Sequence, residues 1–175
     1  TAGTLTPTQD NPSNVFATLN AINRYQGTLS NGNLKISQSS YDYNTQGTLG
    51  MIAGKYYWEV KMGGLHAEIG IAENAKAGQS DPQGAAGFRM IYSNGSGGVV
   101  VYNNATGSNP TTNSGWTNFA ADQIIGVAYD ADNGTITFYK DGSSQGQAYS
   151  SISGEFAFGI GFFGGSTGGT VAGAN

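Results

Sequence analysis

QIIGVAYDADNGTITFYKDGSSQGQAYSSISGEFAFGIGFFGG, residues 123–165, decides the fold. Ile124 to Tyr129 is an apolar run rich in β-forming residues. Thr135 to Lys140 alternates Thr135, Thr137 and Tyr139 against Ile136 and Phe138, the period of a half-buried strand. Between them, Asn133-Gly134 supplies the positive-φ pair expected of a two-residue hairpin turn, and Asp141-Gly142 marks a second turn. Farther on, Phe156, Phe158, Ile160 and Phe162 share one face of a strand. The other face holds Ala157, Gly159, Gly161 and Phe163, small enough for another layer to approach closely. These patterns predict an all-β fold, a two-sheet antiparallel sandwich.

Working outward, strands are expected at Val15 to Leu19, Lys55 to Met62, Ala67 to Ala72, Gly87 to Tyr92 and Val99 to Tyr102, the last two joined as a hairpin by SNGSGG. Asn31-Gly32 separates two short β-like pieces within Gly27 to Ser37. Gln38 to Gln46, Glu73 to Gly84 and Asn103 to Asn118 read as polar loops. Nothing repeats apolar residues at helical spacing over ten positions, so almost no helix is expected. Thr1 to Ser13, with Pro7 and Pro12, reads as an arm or linker (residues 1–13), leaving 14–175 as one domain. The start lacks Met and the end, GGSTGGTVAGAN, is Gly-rich; both are expected of a module excised from a longer protein.

Composition narrows the function classes. Cysteine is absent, which removes disulfide scaffolding and thiolate metal sites. Only 10% of residues are charged, against roughly 25% in typical domains, so the surface is polar through amides and hydroxyls. Seven scattered basic residues and a net charge of −4 give no footprint for a phosphate backbone, so no nucleic acid is expected. No run approaches the roughly 18 apolar residues of a membrane span, and membrane insertion is not expected.

GKYYWEV at Gly54 to Val60, AEIGIA at Ala67 to Ala72, IIGVAYDADNGTITFYKDGSSQGQAY and FAFGIGF together resemble the SPRY domain in order and spacing, over about Phe16 to Thr170. The resemblance implies a concanavalin-like jelly-roll sandwich. The upstream phrase NPSNVFATLNAINRYQGTLSNGNLKI looks most like SPRY-like modules in structural proteins of tailed phages and environmental viruses. That implies a non-enzymatic tail- or capsid-fibre adhesin on the virion surface, contacting a host surface glycan or protein or a neighbouring virion protein. A homo-oligomer would then form through flanking regions. The alternatives are a carbohydrate-binding or adhesin module of a secreted bacterial protein, and a concanavalin-like glycosidase. No B30.2 extension is recognised in these residues, so the eukaryotic ubiquitin-ligase setting of some members is not expected.

Individual residues offer little chemistry. His66 is the sole histidine, so no multi-histidine metal site can form. Glu59 has no second carboxylate at a matching strand position, and a structural role is expected, as a hydrogen bond or an ion pair with Lys55, Lys61 or Arg89. GIGFFG at Gly159 to Gly164 matches a dinucleotide fingerprint by letter, but lies within a strand and opens no helix. Asp130 to Gly134 resembles a calcium loop without its bidentate Glu, and is expected to be a turn. No catalytic residue, cofactor or metal is therefore expected. Recognition falls to aromatic and amide side chains in loops, with Tyr41, Tyr43, Tyr102, Asn103, Asn104 and Trp116 as candidates, beside Tyr92 and Phe119. For Trp116 and Phe119 the competing expectation is that they plug the mouth of the sandwich.

Overall fold

A computed structural model describes residues 17–24, 27–37, 43–64, 67–74, 87–93, 98–103, 111–113 and 115–162. The strands are β1 (Leu19–Arg24), β2 (Thr28–Ser30), β3 (Lys35–Ser37), β4 (Tyr43–Gly47), β5 (Lys55–Lys61), β6 (Ala67–Glu73), β7 (Phe88–Ser93), β8 (Val99–Asn103), β9 (Thr111–Asn113), β10 (Ile124–Asp130), β11 (Thr135–Lys140), β12 (Ser143–Tyr149) and β13 (Phe156–Phe162). They form a seven-stranded sheet ordered β1-β4-β13-β6-β7-β8-β9, a four-stranded sheet ordered β12-β11-β10-β5, and the small β2-β3 hairpin. Every pairing is antiparallel. The described residues contain no α-helix.

Alternation along the strands builds the interior. β5 exposes Lys55, Tyr57, Glu59 and Lys61 and buries Trp58 and Val60. Its neighbour β10 sets Val127 opposite Trp58 and Phe138, and Tyr129 opposite Ile136, so each core row is a line of cross-strand pairs. From the larger sheet, Phe156, Phe158, Ile160, Ile69, Ile71 and Ile91 meet these rows in one core. The opposite face of that sheet is also withdrawn from solvent at Ala72, Phe88 and Met90, where Ala157 and Gly159 of β13 lie across from Ala72 and Gly70. Tyr149 spans the sandwich, its hydroxyl donating to the Met90 carbonyl at 2.6 Å.

Four sequence expectations change. The positive-φ pair sits at Asp141-Gly142 (φ 48 and 78), which directly joins the paired Lys140 and Ser143. Residues 131–134 instead form a four-residue connection between paired Asp130 and Thr135, in which Gly134 (φ 63) has positive φ and Asn133 does not. Across this connection the Asp130 carboxylate accepts from the Asn133 backbone N–H three residues on (3.0 Å), a bond made with Asn133 outside the left-handed region. Gly134 must be glycine on a second count, because a Cβ there would meet the Ile152 carbonyl oxygen and lie 2.8 Å from its nitrogen.

Residues 43–46, expected in a loop, belong to β4, an internal strand between β1 and β13. Its buried side chains are polar, and Gln46 is satisfied there by donating its amide to the Glu73 carbonyl at 2.8 Å. Thr111–Asn113, also read as loop, adds β9 to the edge of the sheet against Val99–Val101. The first strand begins at Leu19 rather than ending there, and residues 15 and 16 lie outside the described ones.

Gly70 in β6 gives a direct test. A Cβ there would strike the Arg89 carbonyl oxygen and come within 2.9 Å of the Met90 Cα, both backbone atoms that cannot rotate away. Gly70→Ala is expected to cost roughly 3 kcal/mol or more by separating β6 from β7, read as a lower urea midpoint, whereas an unchanged midpoint would refute that close approach.

Candidate functional site

Antiparallel topology gathers the connections 48–54 (β4–β5), 131–134 (β10–β11) and 150–155 (β12–β13) at one end of the sandwich. Backbone bonds sew them together. Met51 and Phe156 exchange N–H···O bonds of 2.6 and 3.2 Å, Ala131 N–H donates to the Gly54 carbonyl (2.8 Å), and Ile152 N–H donates to the Gly134 carbonyl (3.0 Å). Side chains add further ties: Gly54 N–H donates to Asp132 Oδ1 (2.7 Å) and the Tyr56 hydroxyl to the Ala53 carbonyl (2.7 Å). With so many backbone groups paired to other loops, this end is a formed surface rather than a set of independent strings.

The stretch TLGMIAG decides what that surface shows. Bridging to Phe156 turns Met51 into the core, and this leaves Leu49 39% and Ile52 71% exposed. Gly50 between them makes room for Glu155, whose Oε1 occupies the place a Cβ would take and accepts from Asn74 Nδ2 at 2.6 Å. Two apolar side chains rimmed by a carboxylate and amides are the ingredients of a small protein-contact patch.

The electrostatic anchor is Asp130. It accepts Lys55 Nζ at 2.8 Å and both the side-chain (2.8 Å) and backbone N–H of Asn133. The Lys55 hydrogen bond, then those from Asn133, hold its carboxyl down at about 2, and the same bond raises Lys55. The carboxylates of the calcium-like segment are thus directed at Lys55, Asn133 and Gly54. Among the described residues no group of three His, Asp or Glu side chains is set to hold a metal.

Of the residues expected to form a site, the described ones fall at both ends of the sandwich. Tyr43 opens β4 opposite Phe162, and Trp116 follows β9, both at the far end. Tyr102 and Asn103 close β8 opposite Met90 and Arg89, at the same end as the sewn loops. Tyr41, Asn104 and His66 lie outside the described residues. Trp116 is 8% exposed and packs against Phe138 at 6.1 Å, and Phe119 is buried beside it in the core; Tyr92 is buried on the large sheet. Glu59 accepts a hydrogen bond from the Tyr57 hydroxyl (2.9 Å) and makes no ion pair among the described residues, since Lys55 and Lys61 bridge to Asp130 and Asp122 and Arg89 lies in the other sheet. Sequence reasoning passed over Leu49 and Ile52. The available signal was three apolar residues in a loop with room for one in the core.

The sequence model of the SPRY domain matches residues 55–173. No curated protein matches. Among solved structures, the SPRY domain of human HERC1 superposes with a TM-score of 0.72 at 18% identity, covering 90% of this chain and 97% of that one. The TRIM65 PSpry domain gives 0.71 at 14%, covering 90% and 92%. At such identities the likeness is one of fold.

An acid titration tests the anchor. Because the folded Asp130 pKa is depressed, its contribution is present above the ordinary 3.8 and is lost as pH falls through about 2. Carbon-detected NMR should find the Asp130 carboxyl titrating near 2, and Asp130→Asn should shrink its stability deficit against the wild type between those values. A titration at the ordinary value would contradict the geometry.

Proposed function

We propose, from the premise that the chain belongs to the SPRY domain family, that it is a non-enzymatic module binding a protein partner through the loop end that displays Leu49 and Ile52. SPRY domains are protein–protein interaction modules and are generally non-catalytic. The observation that carries the reading is that end of the sandwich: loops tied by backbone bonds present Ile52 at 71% exposure. A surface held in shape before contact loses little freedom on binding.

The placement of Glu59 and Glu68 supports a non-hydrolytic reading. Glu59 lies on the outer face of the four-stranded sheet, whereas Glu68, flanked by Ile69 of the core, lies on the far face of the seven-stranded sheet. Sheets pack about 10 Å apart, so outward carboxyls on opposite sheets cannot flank one glycosidic bond, which needs separations of about 5–10 Å.

The setting in this proposal is the surface of a virus particle, where several copies on a fibre would turn weak single contacts into avidity. Support for it comes from the composition, 10% charged and rich in amides, and from the upstream phrase already quoted. An extracellular bacterial adhesin shares that composition, and a flanking sequence with a trimeric stem would separate the two.

Selection of a displayed peptide library on the immobilised domain tests the reading, with glycan arrays alongside. Enriched peptides should lose roughly tenfold or more in affinity to Ile52→Asp, while circular dichroism shows that variant folded. Enrichment indifferent to Ile52→Asp and Leu49→Asp, or binding confined to glycans, would overturn it.

A further inference from the structure

The outer face of the four-stranded sheet carries a second surface that the loop end does not use. Its middle strand, β10, has Gly126 and Ala128 between Tyr57 and Glu59 of β5 and Thr137 and Tyr139 of β11. Tyr57 reaches across this gap. Its hydroxyl and Cζ occupy the space over Gly126, where a Cβ would lie 3.0 Å from Cζ, and its ring meets Tyr139 edge-on at 6.1 Å and 78°. The ring is therefore fixed in place, yet 44% of Tyr57 remains exposed. The tyrosine hydroxyl donates to Glu59 Oε1 at 2.9 Å, which places a carboxylate at the ring's polar end. Burial first, and then this bond, push the Tyr57 phenol up to about 12, so it stays a neutral donor at any physiological pH.

The charges around the ring select what binds there. Lys55 is bridged to Asp130 (2.8 Å) and Lys61 to Asp122 (3.0 Å), so the two lysines flanking Glu59 on β5 are each engaged elsewhere. Glu59 is exposed and has no cation partner among the described residues. A fixed aromatic face beside an uncompensated carboxylate complements a planar cation, which stacks on the ring and donates in-plane to the carboxylate. The chain's net charge of −4 favours approach of a basic partner. A neutral sugar would also pack on the ring, but would leave the charge of Glu59 unanswered.

We propose that the Tyr57–Glu59 platform takes the guanidinium of an arginine on a partner protein, stacked on the Tyr57 ring with its N–H groups on the Glu59 carboxylate. This rests on the protein-binding reading above, but the surface is a sheet face rather than the loop end. Failure of the loop end and failure of this platform are distinguishable.

The test is an amide NMR titration of the whole chain with acetyl-Gly-Arg-Gly-amide, using the citrulline and lysine peptides and methyl α-glucoside as comparators. Shifts are expected at Tyr57, Glu59, Gly126, Ala128 and Tyr139, half-saturating on the order of 10 mM and weakening about fivefold with Glu59→Gln and with Tyr57→Leu. The citrulline peptide should leave these amides unmoved, and lysine should act more weakly than arginine. Glu59→Gln is isosteric and exposed, so it keeps the test valid if Tyr57→Leu disturbs the sheet. No localised shift, an equal response to citrulline, persistence in Glu59→Gln, or a response to the glucoside alone would overturn the proposal. Ile52→Asp should leave these shifts unchanged, so peptide selection indifferent to Ile52→Asp counts against the loop end and not against this platform.

Discussion

The rest of the structure depends on aromatic contact across the two sheets. Trp58 of β5 meets Phe158 of β13 at 6.1 Å, Tyr129 of β10 meets Phe156 edge-on at 6.2 Å, and Phe138 of β11 sits between Tyr149 and Trp116. Rings this large bury much area and fit in few relative positions, so they set both the spacing and the register of the layers. β13 lies inside its sheet, between β4 and β6, with Phe156, Phe158 and Ile160 pointing inward and Ala157, Gly159 and Gly161 pointing away. The neighbouring strand adapts to it: a Cβ on Gly47 would fall into the Phe158 ring, 2.7 Å from Cζ.

That register carries through to both surfaces. Phe156 begins β13 and is also where Met51 bridges, so the residue that closes the core pins the β4–β5 connection, and Ile52 turns outward because Met51 turned inward. On β5 the same alternation that buries Trp58 and Val60 presents Tyr57 and Glu59 on the opposite face. Both proposed surfaces are by-products of core packing. Few charges are needed to hold them, and the shorter ion pair, Lys55 with Asp130, works locally where β5 begins and β10 ends.

The parts of the fold that were legible in the sequence are those where apolar and small or polar residues alternate. FAFGIGF, KYYWEV and the TITFYK hairpin each announce strand, face and partner in a few residues. YNTQG did not, because β4 is internal yet polar, and only the distant Glu73 carbonyl shows why Gln46 is content there. Thr111–Asn113 hides for the same reason at a sheet edge. Asn133-Gly134 misled because the side chain of Asp130, outside the dipeptide, bonds across the turn. The candidate surfaces were less legible still. Aromatic residues in polar segments suggested binding at Trp116, but its ring packs on Phe138, whereas Leu49 and Ile52 became visible only when Met51 was seen to claim the available place in the core. The exposure of Tyr57 depends on Gly126, a residue on another strand.

The sandwich holds the loop end in shape before any partner arrives, and native-state amide hydrogen exchange measures that directly. The amides of Met51, Ala131 and Ile152 donate to the carbonyls of Phe156, Gly54 and Gly134 across loops. They should exchange about as slowly as the amides of β13, opening only when the sandwich does. Exchange of these amides at the rate of an unstructured peptide, with β13 still protected, would contradict the account.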